Sequence, residues 1–121
     1  MKVIIVEDSK IIREKIIQLP SMRLVKILGF TEDYKETIDL INENTPDVII
    51  LDLILSTSSG IEVLKYIRSN NISCKIIVLT NHNIPVIRAY CLKLGADYFF
   101  DKAHEFNKVD DVLKGWMTLN Q

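Results

Sequence analysis

Residues 46–53 read Pro-Asp-Val-Ile-Ile-Leu-Asp-Leu, in which an apolar run begins at Val48 and carries the Asp52 carboxylate near its end. A strand that is covered on both faces has such a run, as in a parallel sheet. Four similar runs, rich in β-branched or aromatic residues, occupy residues 3–6, 24–30, 76–79 and 98–100. The sequence therefore predicts five buried strands, of which residues 48–53 form the third.

Amphipathic stretches separate these runs, and their apolar residues recur every third or fourth position, which is helical spacing. The stripes are Ile12, Ile16 and Leu19; Tyr34, Ile38 and Ile41; Ile61, Leu64 and Ile67; Ile84, Ile87, Cys91 and Leu94; and Phe106, Val109, Val112, Leu113 and Trp116. Pro20, Pro46 and Gly95 lie between elements, whereas Gly115 lies inside the last helix and should weaken it. This alternation predicts an α/β fold, (βα)5, with a doubly wound five-stranded parallel sheet.

Length and composition indicate one globular domain over residues 1–121, with 48% hydrophobic and 26% charged residues. The formal net charge of −1 argues against direct binding to nucleic acid or to an anionic membrane. The amino-terminal apolar run is too short for a signal peptide, and no run is long enough for membrane insertion. We therefore expect a cytoplasmic protein in which Cys74 and Cys91 are reduced, partly buried thiols.

Side chains with chemical function stand where the predicted strands end. Glu7 and Asp8 follow the first strand, Asp52 ends the third, Thr80 ends the fourth, and Lys102 follows the fifth. Ligands of such sheets bind outside the carboxyl ends of the strands, at the point where the strand order reverses. With the strand order 2-1-3-4-5, these four ends converge, and the second strand, which ends without obvious chemistry, lies at the edge.

Charge indicates what this cluster does. Three carboxylates in one crevice repel each other unless a cation lies among them, and carboxylate oxygens suit a hard ion such as Mg²⁺. A lysine and a threonine hydroxyl would add positive charge and a hydrogen-bond donor, which together could stabilise a phosphoryl group in transfer. Asp52 is the best acceptor, because it lies on a central strand between the acidic pair and Thr80.

Motifs along nearly the whole chain resemble the receiver domain of two-component response regulators, in particular the single-domain, chemotaxis-regulator-like kind. The matching segments are residues 3–8, 46–53, Gly60, 76–80, 94–98, and Phe99 three residues before Lys102. The resemblance implies a flavodoxin-like fold. It also implies a phosphoprotein of a two-component phosphorelay that signals through a phosphorylated aspartate.

The resemblance assigns roles at the acidic cluster. Asp52 would accept a phosphoryl group from a phosphohistidine of a sensor histidine kinase or a phosphotransfer protein. Asp8 would bind Mg²⁺ directly together with Asp52, Glu7 would bind it through water, and the backbone carbonyl of Ile54 would complete the metal site.

The resemblance also implies a conformational switch. Thr80 and Lys102 would contact the phosphoryl oxygens, and Phe99 would change rotamer as Thr80 moves. The surface of the fourth helix, fifth strand and fifth helix would then change, which is a population shift between two states. An unidentified downstream protein would dock there, and a homodimer could form through the same face. Phe99 could equally be an ordinary packed aromatic.

The sequence departs from the family pattern at several positions near the site. Ala103 stands where many receivers have a cis proline, and a non-proline cis bond costs ~3–4 kcal/mol, so we expect a trans bond. Ser56 stands where proline is common. Asn81 replaces a very small residue and should narrow access to the site. An apolar Ile54 cannot orient an attacking water, so we expect slow self-dephosphorylation.

Several functions compete for this sequence. The first is a receiver without an output domain that acts through protein–protein contact and is not an enzyme beyond self-phosphorylation and slow self-dephosphorylation. The second is the receiver half of a longer DNA-binding transcriptional regulator, which the length of the intact gene would decide. A haloacid-dehalogenase-type hydrolase would need an acid where Ile54 stands. A flavodoxin-like cofactor binder would place its phosphate against Glu7 and Asp8, which would repel it.

Overall fold

Strands and helices alternate through the computed structural model, which describes residues 1–119. The strands are β1 (Lys2–Val6), β2 (Lys26–Thr31), β3 (Val48–Leu51), β4 (Lys75–Thr80) and β5 (Tyr98–Asp101). The helices are α1 (Lys10–Ile17), α2 (Tyr34–Glu43), α3 (Gly60–Ser69), α4 (Pro85–Lys93) and α5 (Lys108–Leu119). The predicted (βα)5 succession is confirmed.

Two strand boundaries differ from the prediction. A short 3₁₀ helix, Pro20–Leu24, takes the residue that was predicted to begin the second strand, and the Leu24 side chain is 75% exposed there. The third strand ends at Leu51 rather than Leu53, because the Asp52 carboxylate accepts the backbone N–H of Leu53 at 2.7 Å. Such a local side-chain bond takes the backbone out of the sheet ladder.

All strand pairs are parallel and the order is β2-β1-β3-β4-β5, as the sequence predicts. Helices cover both faces, so every residue of β3 is buried. Val48 and Ile50 pack with α1 and α5 on one face, while Ile49 and Leu51 pack with α2, α3 and α4 on the other. Burial of each such side chain contributes about 1.5–3 kcal/mol, which explains why the runs are continuous rather than alternating.

Side-chain caps begin three of the helices directly after the loops at the carboxyl edge of the sheet. Ser9 Oγ accepts the backbone N–H of Ile12 at the start of α1. Asp33 begins α2, and Ser59 Oγ accepts the N–H of Ile61 in α3. Because a cap defines where the helix begins, it also limits the length and direction of the loop before it.

A long-range hydrogen bond joins α5 to the 3₁₀ helix between α1 and β2. The Asp110 carboxylate accepts the buried backbone N–H of Ser21 at 2.8 Å and pairs with Lys114 at 2.8 Å. Burial by itself would raise the pKa of Asp110, but these contacts outweigh it and lower that pKa.

Replacing Asp110 with asparagine is expected to lower the free energy of unfolding by about 1.5–2 kcal/mol at neutral pH, since bonds to charged groups are the stronger kind. A carboxyl whose pKa is lowered in the folded state stabilises above its ordinary pKa, and this contribution is lost as the pH falls through the lowered value. Denaturant unfolding between acidic and neutral pH should show the difference from wild type shrinking at low pH. The exposed neighbour change Asp111→Asn is the control, and a pH-independent Asp110 effect would contradict the assignment.

Both cysteines are free and buried, somewhat deeper than the partial burial that the sequence suggested. Burial raises the pKa of the Cys74 thiol to about 11, so this side chain behaves as an inert core residue. Within residues 1–119, no helix combines the length and the apolar character that crossing a bilayer requires.

Candidate functional site

Three carboxylates meet at the carboxyl edge of the sheet. Val6 pairs with Leu51 across β1 and β3, and Asp52 N–H donates to the Val6 carbonyl at 3.0 Å, so the residues after both strands are neighbours. One oxygen each of Glu7, Asp8 and Asp52 lies within 4.8 Å of the others. The predicted convergence of these acids is therefore present in the fold.

Lys102 pairs with two of these acids. Its Nζ lies 2.5 Å from Glu7 Oε1 and 2.9 Å from Asp52 Oδ2, and all three side chains are buried. Burial raises the pKa of Glu7, although the lysine and the Ser9 N–H oppose that effect. Burial would lower the pKa of Lys102, but its two carboxylate partners outweigh it and raise that pKa. The site thus holds a charged lysine between two acids.

Both carboxylate oxygens of Asp52 accept hydrogen bonds. Oδ1 accepts the N–H of Leu53 at 2.7 Å, and Oδ2 accepts the Lys102 ammonium. Behind it, Gly60 lies so close that a Cβ there would fall 2.0 Å from the Asp52 carbonyl oxygen. The first residue of α3 therefore packs directly against the backbone that presents the acceptor.

The acidic cluster opens into a pocket of about 310 Å³. Its lining residues are Glu7, Asp8, Ser9, Ile12, Asp52, Ile54, Asn81, His82 and Lys102. Glu7 is 2% exposed and its second oxygen accepts the Ser9 N–H at 3.1 Å, whereas Asp8 is exposed to solvent. Carboxylate and carbonyl oxygens in an open pocket are the donor set that a hard divalent cation prefers, so these residues fit Mg²⁺.

Two of the predicted functional residues do not line this pocket. Thr80 is fully buried at the end of β4, its Oγ1 accepts the N–H of His82 at 3.1 Å, and its carbonyl accepts the Lys102 N–H at 3.0 Å. Phe99 is 2% exposed within the core cluster, and Arg88 donates to its carbonyl at 3.0 Å. Both residues are thus buried: Thr80 directly precedes the pocket residue Asn81 in the chain, and Phe99 belongs to the core cluster that includes Cys91 of α4.

Two of the four departures noted in the sequence, Ile54 and Asn81, line the pocket. No cis peptide bond occurs among the described residues, so the bond before Ala103 is trans as predicted. Asn81 is exposed and lines the pocket, and Ile54 is 53% exposed beside it. One polar and one apolar side chain therefore stand beside the acidic cluster in the pocket wall.

Sequence patterns did not reveal the side chains that brace the acidic loop. Arg13 Nη1 lies 3.0 Å from Glu32 Oε1 and 3.4 Å from the Glu7 carbonyl oxygen. Ser56 donates from both its N–H and its hydroxyl to the Glu32 carbonyl, at 3.3 and 3.2 Å. Arg13 on an amphipathic helix and Ser56 in a serine-rich loop carry no sequence signal for such contacts.

A larger cleft, of about 560 Å³, lies at the opposite, amino-terminal edge of the sheet between Arg68, Trp116 and neighbouring residues. The Arg68 guanidinium there donates hydrogen bonds to the backbone carbonyls of Gly95, Ile72 and Cys74. The cleft is larger, but the acidic pocket contains the carboxylates and the lysine that could bind a cation and a phosphoryl group. We therefore assign the candidate site to the acidic pocket.

Fold and site together define a receiver domain, and comparison with known proteins agrees. The family model of the response regulator receiver domain matches residues 3–114, so the chain belongs to the response regulator receiver family. The chain is 30% identical over 123 residues to the transcriptional regulatory protein YdfI of Bacillus subtilis, covering 98% of this chain and 57% of that protein. It is 37% identical over 106 residues to a cyclic di-GMP phosphodiesterase of Thermotoga maritima, covering 84% of this chain and 27% of that enzyme.

A solved structure has the same fold. It is the DNA-binding response regulator of the LuxR family from Staphylococcus aureus, with a TM-score of 0.83, 26% identity, and coverage of 94% of this chain and 96% of that one. Against the two curated relatives, by contrast, the chain spans between about a quarter and somewhat over half of their length. The comparisons therefore establish the family. The activities named for the full-length relatives are properties of those proteins.

Proposed function

We propose that the protein accepts a phosphoryl group on Asp52 and signals through the change of surface that follows. The observation that carries this proposal is the buried contact of Lys102 with both Asp52 and Glu7, beside an exposed Asp8. This arrangement presents one carboxylate to a pocket that is lined by fixed positive charge and by further oxygen ligands, as phosphoryl transfer requires.

In the proposed reaction, an oxygen of Asp52 attacks the phosphorus of a phosphohistidine on a sensor histidine kinase or a phosphotransfer protein. A P–O bond forms, the P–N bond breaks, and its electron pair returns to the imidazole, which is left neutral after it takes up a proton. Lys102 is within reach of the acceptor oxygen, so it can turn from the carboxylate pair toward the new phosphoryl oxygens. Thr80 would supply a hydroxyl donor from the next strand.

Asp8, Asp52 and the Ile54 carbonyl would hold Mg²⁺ there, with Glu7 acting through water. The bound cation would neutralise charge on the transferring group. Burial and the Lys102 contact make Glu7 the least accessible of the three acids, which supports an indirect role for it. Asp8 is exposed and can exchange water for a ligand with little rearrangement.

The output surface would be the face formed by α4, β5 and α5. Val86 and Tyr90 on α4 and Tyr98 on β5 are exposed, and Tyr98 stacks with Phe100 and lies against Trp116. Movement of Thr80 toward a phosphoryl group would alter the space beside Phe99 and, through the Arg88 contact, the base of α4. A downstream protein or a second copy of the chain could then bind the altered surface.

On this proposal the domain is a phosphoacceptor rather than an enzyme with an external substrate, and its output is contact with another protein. It would meet its kinase in the cytoplasm, where its two free cysteines stay reduced. The alternative, a receiver that forms part of a longer DNA-binding regulator, draws support from the relative that is named a transcriptional regulatory protein. The length of the intact gene decides between these two.

Phosphoramidate has the P–N bond of phosphohistidine and tests the acceptor chemistry without a kinase. We expect the protein to gain one phosphoryl group in the presence of Mg²⁺ and to lose it again on treatment with hydroxylamine, which cleaves acyl phosphates. A group that survives hydroxylamine would indicate phosphorylation of a hydroxyl side chain instead. No gain of mass at saturating donor would contradict the proposed function.

Ile54 is expected to make the phosphorylated state long-lived, because its exposed apolar side chain offers no group to orient an attacking water. Changing Ile54 to asparagine should speed self-dephosphorylation on the order of tenfold, since an amide can position that water. The decay of the intact phosphorylated mass measures the rate, and Ile54→Val serves as the apolar control. A wild-type lifetime of only seconds, or equal rates in both variants, would refute this role.

A further inference from the structure

The loop between β3 and α3 passes the carboxyl end of the neighbouring strand β1 and contacts residues that follow β2. β1 lies between β2 and β3 in the sheet, yet the loop after β3 bonds to the turn after β2. Ser56 donates from N–H and Oγ to the Glu32 carbonyl at 3.3 and 3.2 Å. Ser58 Oγ accepts the Tyr34 N–H at 2.9 Å. We call these contacts, made by Ser56 and Ser58 to Glu32 and Tyr34, the Ser56 strap.

The turn that receives the strap is itself bonded to the acidic loop after β1. The N–H of Glu7 donates to the Thr31 carbonyl at 3.0 Å. Arg13 joins the Glu32 carboxylate, at 3.0 Å, to the carbonyl of Glu7. The strap therefore connects the two loops that carry the carboxylates, with the β2–α2 turn as the common anchor.

The loop that carries the strap is also bonded internally on both sides of Ile54. On one side of it, Asp52 Oδ1 holds the N–H of Leu53. On the other, Leu55 N–H donates to the Ser58 carbonyl at 3.1 Å, and a β-bridge pairs Ile54 with Ser59. The peptide of Ile54 thus lies in a loop that is tied at both ends before any ligand binds.

We propose that Ser56 is a positioning residue that raises the affinity of the site for Mg²⁺; this inference rests on the proposed function. Mg²⁺ demands nearly ideal octahedral geometry, so ligands on a loose loop would have to be ordered when the ion binds. The strap orders them beforehand by joining the loops of β1 and β3. Outer contacts of this kind commonly change metal affinity.

Calorimetric titration of the full chain with MgCl₂ tests the proposal. The Ser56→Ala variant keeps one of the two contacts and should bind Mg²⁺ about three- to fivefold more weakly. Affinity should stay within about twofold of wild type in Ser56→Thr, which keeps both donors, and in the control Thr57→Ala at an exposed position of the same loop.

Thermal unfolding without metal accompanies each titration. A weaker affinity in Ser56→Ala with an unchanged melting temperature and recovery in Ser56→Thr supports the positioning role. Equal affinities in wild type and Ser56→Ala overturn it while leaving the proposed function intact. Affinity that falls only together with the melting temperature assigns Ser56 a purely structural role and also overturns it. A wild-type protein that binds no Mg²⁺ removes the metal site and with it both proposals.

Discussion

Changing Gly60 to alanine is expected to lower the free energy of unfolding by about 2–4 kcal/mol, at the upper end of the usual effect of overpacking. The new Cβ would lie 2.0 Å from the Asp52 carbonyl oxygen and 2.9 Å from the Asp52 carbonyl carbon and the Leu53 Cα. These are backbone atoms, which cannot rotate away as a side chain can. Either α3 or the loop that carries Asp52 must move, so phosphoryl acceptance should fall as well.

Gly115→Ala is the matched control for this change. Gly115 lies within α5, and an added Cβ there would meet nothing within 4 Å. Alanine should raise the free energy of unfolding by about 0.5–1 kcal/mol, because it is the better helix former and restricts the unfolded chain. Urea unfolding of both variants gives the two opposite changes. Similar stability for Gly60→Ala and wild type would show that the close packing of α3 on Asp52 does not constrain the site.

Changing Lys102 to methionine is expected to lower stability at neutral pH by about 2–3 kcal/mol in the absence of metal, since removing one partner leaves uncompensated buried charge. Glu7 and Asp52 would then face each other without the ammonium that lies 2.5 and 2.9 Å from them. The pKa of Glu7 is already raised by burial, and removing Lys102 takes away the contacts that oppose this rise. Glu7 should therefore take up a proton more readily in the variant.

If the loss of stability in Lys102→Met arises from unpaired charge rather than from a packing defect, two changes of condition should reduce it. Lowering the pH through the raised pKa of Glu7 should neutralise that acid and return part of the lost stability. Millimolar Mg²⁺ should return stability at neutral pH by binding the folded state. Thermal unfolding across pH, with and without MgCl₂, measures both, and Lys93→Met on the exposed end of α4 is the control. A deficit that neither acid nor Mg²⁺ reduces would contradict the charge explanation.

The sheet was predictable because its signal is local and repeated. Continuous apolar runs predicted strands that are buried on both faces, and Val48, Ile49, Ile50 and Leu51 are all buried. The convergence of Glu7, Asp8, Asp52 and Lys102 followed from topology, since parallel strands place their carboxyl ends at one edge. Chain order and strand ends were therefore enough to bring the chemical groups together.

Other features depend on contacts that no local pattern encodes. The exact end of β3 depends on Asp52 taking the Leu53 N–H, and the Ser56 strap depends on a loop that crosses β1. The depth of Phe99 depends on how α4 packs, and α4 is apolar on several sides, with Val86 72% exposed. Such details follow from three-dimensional packing, in which side chains far apart in the sequence compete for the same backbone groups.

Intact-mass measurement after incubation with acetyl phosphate and Mg²⁺ tests the central claim most directly. Wild-type protein and Asp52→Ala are treated side by side, with Asp47→Ala, at an exposed position directly before β3, as the control. Wild type and Asp47→Ala should each gain the mass of one phosphoryl group, whereas Asp52→Ala should gain none. Phosphorylation of Asp52→Ala to the wild-type level, or of none of the three proteins, would contradict Asp52 as the acceptor.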